Sequence, residues 1–225
     1  MKKLFILLTA VFITASFAGG QTSSEDLSLQ TNNNDKNAAI TVNNGGKIKP
    51  EMQLIEDTFS SRDSALLPRR AVELNNQGVR LTLKKDIRGA LELFRQANSL
   101  APRNEHILFN FGTALLNLKR DTEAVEAFVK LIEIAPESAK AYNSLGLALF
   151  TVGKTGDSFS AFRLALEISP HDPVILCNYA NAMHHAGNEA EALVTVNQAI
   201  KITASNFSPA YNIRGTILFN RSLLV

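Results

Sequence analysis

Between residues 71 and 207 small, aliphatic and aromatic side chains return in step. Gly78, Gly112 and Gly146 stand 34 residues apart, and the same step lands next on Ala180. Four residues before each small position comes a large one (Leu74, Leu108, Tyr142, Leu176), and three after it another (Leu81, Leu115, Leu149, Met183). Twelve after it the chain is small again (Ala90, Ala124, Ser158, Ala192), and sixteen after it stand Phe94, Phe128, Phe162 and Val196. Ala97, Leu131, Ala165 and Ala199 follow, and each period closes on Pro102, Pro136, Pro170 or Ala204. Within each half of a period the apolar spacing of three, four and seven residues predicts one helical face, and the proline marks a stop. Each period is therefore two helices.

A glycine inside a helix costs about 1 kcal/mol relative to alanine, so its return in every period needs a reason. Close approach of the two helices supplies one, with Ala90, Ala124 or Ser158 expected opposite the glycine and the phenylalanine ring expected to fill the gap towards the following period. Asp86, Asp121 and Asp157 are placed to cap the second helices, and Asn104, Ser138 and Asp172 the first helices, since a short polar side chain can accept from the free N–H groups of the opening turn. Pro173 falls just inside such a start, where its missing donor is harmless.

The small position and the six columns around it are the tetratricopeptide signature. The chain resembles that family over residues 71–207 as four units, with residues 208–225 as the first helix of a fifth unit after a one-residue insertion and Gly215 as its small residue. Ser158, Val196 and Ala204 depart from the pattern without changing the period. The resemblance implies an all-α fold, a tetratricopeptide-repeat solenoid of antiparallel helix pairs. It also implies a concave face lined by the first helices, where family members hold a protein or peptide.

On that implication the residues around each small position are the candidate groove. Three before it lie Asn75, Phe109, Asn143, Cys177 and Asn212, and two before it Asn76, Asn110, Ser144, Asn178 and Ile213. Lys140, Asn181 and His184 complete the set. Asparagine is a poor helix former, so its recurrence has a cause. Two remain open at this point. The amides can pair with the backbone of an extended peptide, since each has a donor and an acceptor, or they can bond between neighbouring first helices. The two-carboxylate clamp by which some family members hold an acidic C-terminus does not fit, because Asn75 and Val79 stand where Lys and Asn are wanted, and Lys140 is followed one turn on by Ser144.

His184 and His185 near Cys177 and Asn181 raise a metal or nucleophile reading. Seven residues of helix separate Cys177 from His184 by about 10 Å, far beyond ligand or nucleophile–base spacing. No metal, cofactor or catalytic group is expected, and the chain reads as a binding protein and not an enzyme.

The opening of the chain changes the picture of where this happens. Met1-Lys2-Lys3 precedes an apolar run from Leu4 to Phe17, the shape of a signal peptide over residues 1–18, with cleavage after residue 20 as the alternative. Such a run spans about 20 Å as a helix, short of a hydrocarbon core of about 30 Å, so no membrane insertion is expected after cleavage. The expectation is export, to a periplasm or the exterior. Residues 19–70 are polar and read as a tether, with Met52, Ile55 and Phe59 on one face of a short helix over 51–67 that Pro68 would end. Without Lys2 and Lys3 the 23 basic residues fall to 21, equal to the 21 acidic ones, and a neutral chain lacks the basic footprint of a nucleic-acid binder. The single cysteine, Cys177, excludes an internal disulfide.

The expected function is an exported scaffold or adaptor that binds a protein or peptide segment in the concave groove. Two rivals stand beside it: the front part of a larger envelope protein with an enzymatic remainder, and a self-assembling structural protein. The partial fifth unit, with Tyr211, Ile217, Leu218 and Phe219, points to a homo-oligomer formed through the C-terminal helix.

Overall fold

The computed structural model describes Met52, residues 66–203 and residues 207–222. The signal peptide, nearly all of the tether and the short helix expected over 51–67 lie outside the described residues. Two compact units are formed, one over Pro50–Gly153 and one holding Lys154–Val225. The first contains α1 (Leu66–Leu83), α2 (Ile87–Leu100), α3 (Glu105–Asn117), α4 (Asp121–Ile134) and α5 (Ala139–Thr151). The second contains α6 (Thr155–Ile168), α7 (Pro173–His185), α8 (Glu189–Ile202) and α9 (Ser208–Ser222). Among the described residues there is no strand, and no helix is long and apolar enough to cross a membrane.

In the first unit α1, α3 and α5 are first helices and α2 and α4 second helices, and each packs on its neighbours in sequence while the first helices also touch one another. Ala71, Leu74, Ala97 and Ile107 form one buried cluster drawn from three helices, with Leu93 and Leu100 packed against it. In the second unit Leu176, Ala180, Val196, Ala199, Ile213 and Ile217 form the corresponding core from α7, α8 and α9.

The recurring glycine has a more specific role than the sequence suggests. A Cβ added at Gly78 would meet Phe94 Cε1 at 2.6 Å, and one at Gly112 would meet Phe128 Cε1 at 2.7 Å. At Gly78 and Gly112 the phenylalanine of the same repeat lies in the space the glycine vacates. The Phe162 ring does reach the following repeat, stacking on Tyr179 with centroids 5.7 Å apart. A flat ring reaches the helix backbone only where no Cβ intervenes. Nothing lies within 4 Å of a Cβ placed at Gly215.

The first helices α1, α3, α5 and α7 meet a left-handed residue where they stop. Lys85 and Lys119 adopt φ of 66° and 61°, and Gly153 and Gly187 adopt φ of 84° at the same point of the period. The next residue then donates back across the end of the helix: Asp86 to Leu81 O at 3.0 Å, Arg120 to Leu115 O at 2.9 Å and Asn188 to Met183 O at 2.9 Å. This Schellman closure satisfies carbonyls the helix leaves open. The donating residue is also the N-cap of the second helix: Asp86, Arg120 and Asn188, with Lys154 at the same place before α6.

The expected caps divide accordingly. Asp86 accepts from Gly89 N, Asn104 from Ile107 N, Ser138 from Ala141 N, and Asp172 from Val174 N and Ile175 N. Asp121 and Asp157 are not caps. They lie inside the first turns of α4 and α6, because the closure fixes the cap one and three residues earlier, at Arg120 and Lys154, which make no side-chain cap bond. Pro68 does not end a preceding helix either. It stands in the first turn of α1, where its lack of an N–H leaves no hydrogen bond unmade.

The left-handed column yields a stability prediction. A side chain in that conformation costs about 1–2 kcal/mol, part of which returns as the greater freedom of an unfolded glycine. Lys119→Gly is therefore expected to stabilise the protein by about 0.5–1 kcal/mol, read as a higher urea midpoint. A lowered midpoint would mean that the lysine side chain contributes more than its backbone strain costs.

Candidate functional site

The amide columns meet on α1 and α3. Asn110 Nδ2 donates to Asn75 Oδ1 at 2.7 Å, and Asn75 Nδ2 donates to Asn76 Oδ1 at 3.2 Å. Asn75 and Asn110 are both fully buried, so this amide pair joins two first helices. An interhelical bond, one of the two causes left open by the sequence, is thus present between Asn75 and Asn110.

On α5 of the same unit Ser144 takes the position that Asn110 has on α3. Its partner column on α3 holds Phe109, a nearly buried ring 6.4 Å from that of Phe128, and Ser144 Oγ is buried without a hydrogen bond. In the second unit the matching positions are Cys177 and Ile213, which share the apolar core. Residues three before one small position thus answer residues two before the next: amide to amide at Asn75 and Asn110, apolar to apolar at Cys177 and Ile213. Asn143 and Asn178 stand in the same sequence relation, and each is buried. Reading the two columns diagonally, and not each down its own length, is the signal that separates the amides from the surface.

Other candidates lie nearer solvent. Lys140, the second residue of α5, is exposed, Asn76 is half-buried on α1, and Asn212 is exposed on α9. Asn181 is buried on α7. One turn on, the His184 side chain is only 8% exposed, with Nε2 accepting from Asn220 Nδ2 at 3.1 Å and Nδ1 4.0 Å from Glu189 Oε1. The His184 and His185 rings are 5.5 Å apart. Among the described residues no three His, Cys, Asp or Glu side chains are grouped to hold a metal ion.

Cys177 is enclosed by the core of the second unit, and burial, with a smaller contribution from the Asp172 charge, pushes its thiol up to about 12. Since only the thiolate is nucleophilic, alkylation at pH 8 is expected to need unfolding. Above the unfolded value near 8.5–9 the unfolded chain ionises first, so this thiol's contribution to stability falls as the pH rises towards about 12. Mass-spectrometric labelling of the native chain within minutes would contradict the enclosed geometry.

Four residues after the small positions, the first helices of the first unit carry Thr82, Leu116 and Phe150, of which Leu116 is buried and the other two half-buried. Thr82 Oγ1 lies 3.1 Å from Gly78 O and also 3.1 Å from Sδ of Met52, thirty residues earlier in the chain. Met52 is half-buried there.

Comparison with known families places this architecture. The tetratricopeptide repeat family matches residues 82–205, more than half of the chain. The protein belongs to the tetratricopeptide repeat family. Its fold is the all-α helical solenoid of that family, a scaffold type used in protein–protein interaction. Solved structures agree at the level of the fold. MamA aligns with a TM-score of 0.55 at 21% identity, covering 65% of this chain and 85% of its own. YrrB, described as a tetratricopeptide protein with an unusual peptide-binding site, aligns at 0.57 with 20% identity, covering 68% and 76%. TTC0263, a thermophilic tetratricopeptide protein of Thermus thermophilus, aligns at 0.60 with 17% identity, covering 67% and 82%. No curated protein sequence matches the chain.

Proposed function

We propose that this tetratricopeptide protein is an exported, non-catalytic scaffold that holds a protein or peptide segment along its first helices. The observation that carries the reading is family membership over residues 82–205, joined to a first-helix face on which Lys140 is exposed and Asn76 and Phe150 are half-buried. YrrB, of the same fold, has a peptide-binding site, which supports the same use of this face. Export rests on the signal-like residues 1–18 alone.

A photo-crosslinking amino acid at Lys140, with the exposed Lys130 of α4 as control, tests the binding face in the native host. Adducts with another protein at position 140 and none at 130 are expected; adducts at 130 alone would move the site to the second helices. N-terminal sequencing of envelope or medium fractions should begin at residue 19 or 21, and an intact Met1 there would remove the export reading.

A second reading, self-association, is favoured by one observation: on α9 Leu218 and Phe219 expose 48% and 64% of their surface. Light scattering of the purified chain would show concentration-dependent growth in mass that polar replacement of both residues abolishes.

A further inference from the structure

Met52 stands apart from every repeat, yet its thioether is seated on α1. Four observations bear on what that seat is. Thr82 belongs to the row of first-helix residues four beyond the small positions, continued in the same unit by Leu116 and Phe150. It is the smallest side chain of that row, so a residue from elsewhere can lie over it where leucine and phenylalanine would already fill the space. Two apolar residues lie on the same side of α1: Val79 and Val72, about one and three turns back, are 5% and 2% exposed, whereas the equivalents of Val72 on α3 and α5 are the half-buried His106 and the exposed Lys140. The amide of that side, Asn75, is buried and engaged by Asn110. Finally, the Thr82 hydroxyl has a second acceptor at equal distance, the carbonyl of Gly78. If the thioether leaves, the hydroxyl keeps a hydrogen bond, so no buried polar group is stranded by the exchange.

We propose that Met52 is a built-in occupant of the binding face, filling in cis a subsite on α1 that accepts a flexible apolar side chain, methionine above all, from a bound peptide. The proposal rests on the binding function given above and adds the ligand class and a competitor to it. Methionine suits such a site, because an unbranched thioether adapts to an irregular surface and leaves it without a fixed geometry. Covalent attachment through the thirteen residues between Met52 and Leu66 makes the internal ligand effectively concentrated, so an external peptide binds only by displacing it. The chain thereby favours partners that make further contacts along α3 and α5 over short apolar peptides that reach α1 alone.

The test uses the full chain labelled with methyl-¹³C methionine, with the core residue Met183 as an internal reference for folding. The Met52 methyl resonance should lie away from the random-coil position, and Thr82→Lys should move it to that position while Met183 is unchanged. A fluorescent synthetic peptide of residues 46–57 is then the external probe. It should bind the full-length Met52→Asp variant about tenfold more tightly than the wild-type chain, and the same peptide carrying Met52→Asp should not bind. A random-coil Met52 methyl in the wild-type chain, or equal peptide affinity for wild type and Met52→Asp, would overturn the proposal. If that happens while a partner still crosslinks at Lys140, the binding function stands and only the internal occupant is lost. If the Met52→Asp chain captures the peptide but no partner crosslinks, the subsite stands and the scaffold reading falls.

Discussion

Phe128→Ala is expected to lower the stability of the protein by about 3–5 kcal/mol, the usual cost of deleting a buried aromatic ring. Phe128 is fully buried, and its edge lies where a Cβ on Gly112 would be 2.7 Å away, so removing the ring opens a space that Gly112 has no side chain to fill. The ring also meets Phe109 at a 59° tilt, an aromatic pairing that alanine cannot replace. The companion substitution separates this account from general loss of hydrophobicity. Gly112→Ala improves helix propensity by about 1 kcal/mol, yet in the wild-type background it forces the ring aside, and overpacking of this kind costs about 1–3 kcal/mol. With Phe128 already alanine the clash is gone, and the same Gly112→Ala change should become stabilising. Urea unfolding of the four variants measures the cycle. A Gly112→Ala effect of equal sign in both backgrounds would show that ring and glycine do not share one space.

Asn110→Ala is expected to cost about 1–3 kcal/mol, because it leaves the buried Asn75 Oδ1 without the donor now 2.7 Å away. Replacing both residues by apolar ones should cost less than the single change, since the second unit fills the corresponding positions with Cys177 and Ile213. Melting temperature and partner crosslinking at Lys140 should be followed together. A stable Asn110→Ala chain that loses its partner would return this amide to ligand contact.

Much of the fold is legible because a repeat states each rule several times. The spacing of Gly78, Gly112 and Gly146, the apolar faces, and the caps at Asp86, Asn104, Ser138 and Asp172 depend on local geometry that recurs unchanged. Asp121 and Asp157 mislead for the opposite reason: a good capping side chain near a helix start counts for less than its place in the period, because the Schellman closure fixes the cap position whatever residue stands there. The groove is harder to read than the fold. A column of asparagines describes one helix at a time, while the bond between Asn75 and Asn110 joins residues 35 apart on two helices, and only the register between units reveals it. Met52 obeys no period at all, so nothing in the repeat pattern announces its place on Thr82.

The sharing of one residue between helix stop and helix start has an outcome for how such a chain can change length. Asp86, Arg120 and Asn188 each close one helix by a backbone bond and open the next as its N-cap, which leaves no residue between the two duties. An amino acid inserted at these hairpins must break one function to serve the other, and would shift every later side chain of the second helix by about 100° around its axis. The junctions between units carry no such double duty, and the single extra residue before Ser208 falls at one of them. Insertions and tags are therefore expected to be tolerated at the junctions between units, and the hairpins within units are sites where the reading frame of the architecture is locked.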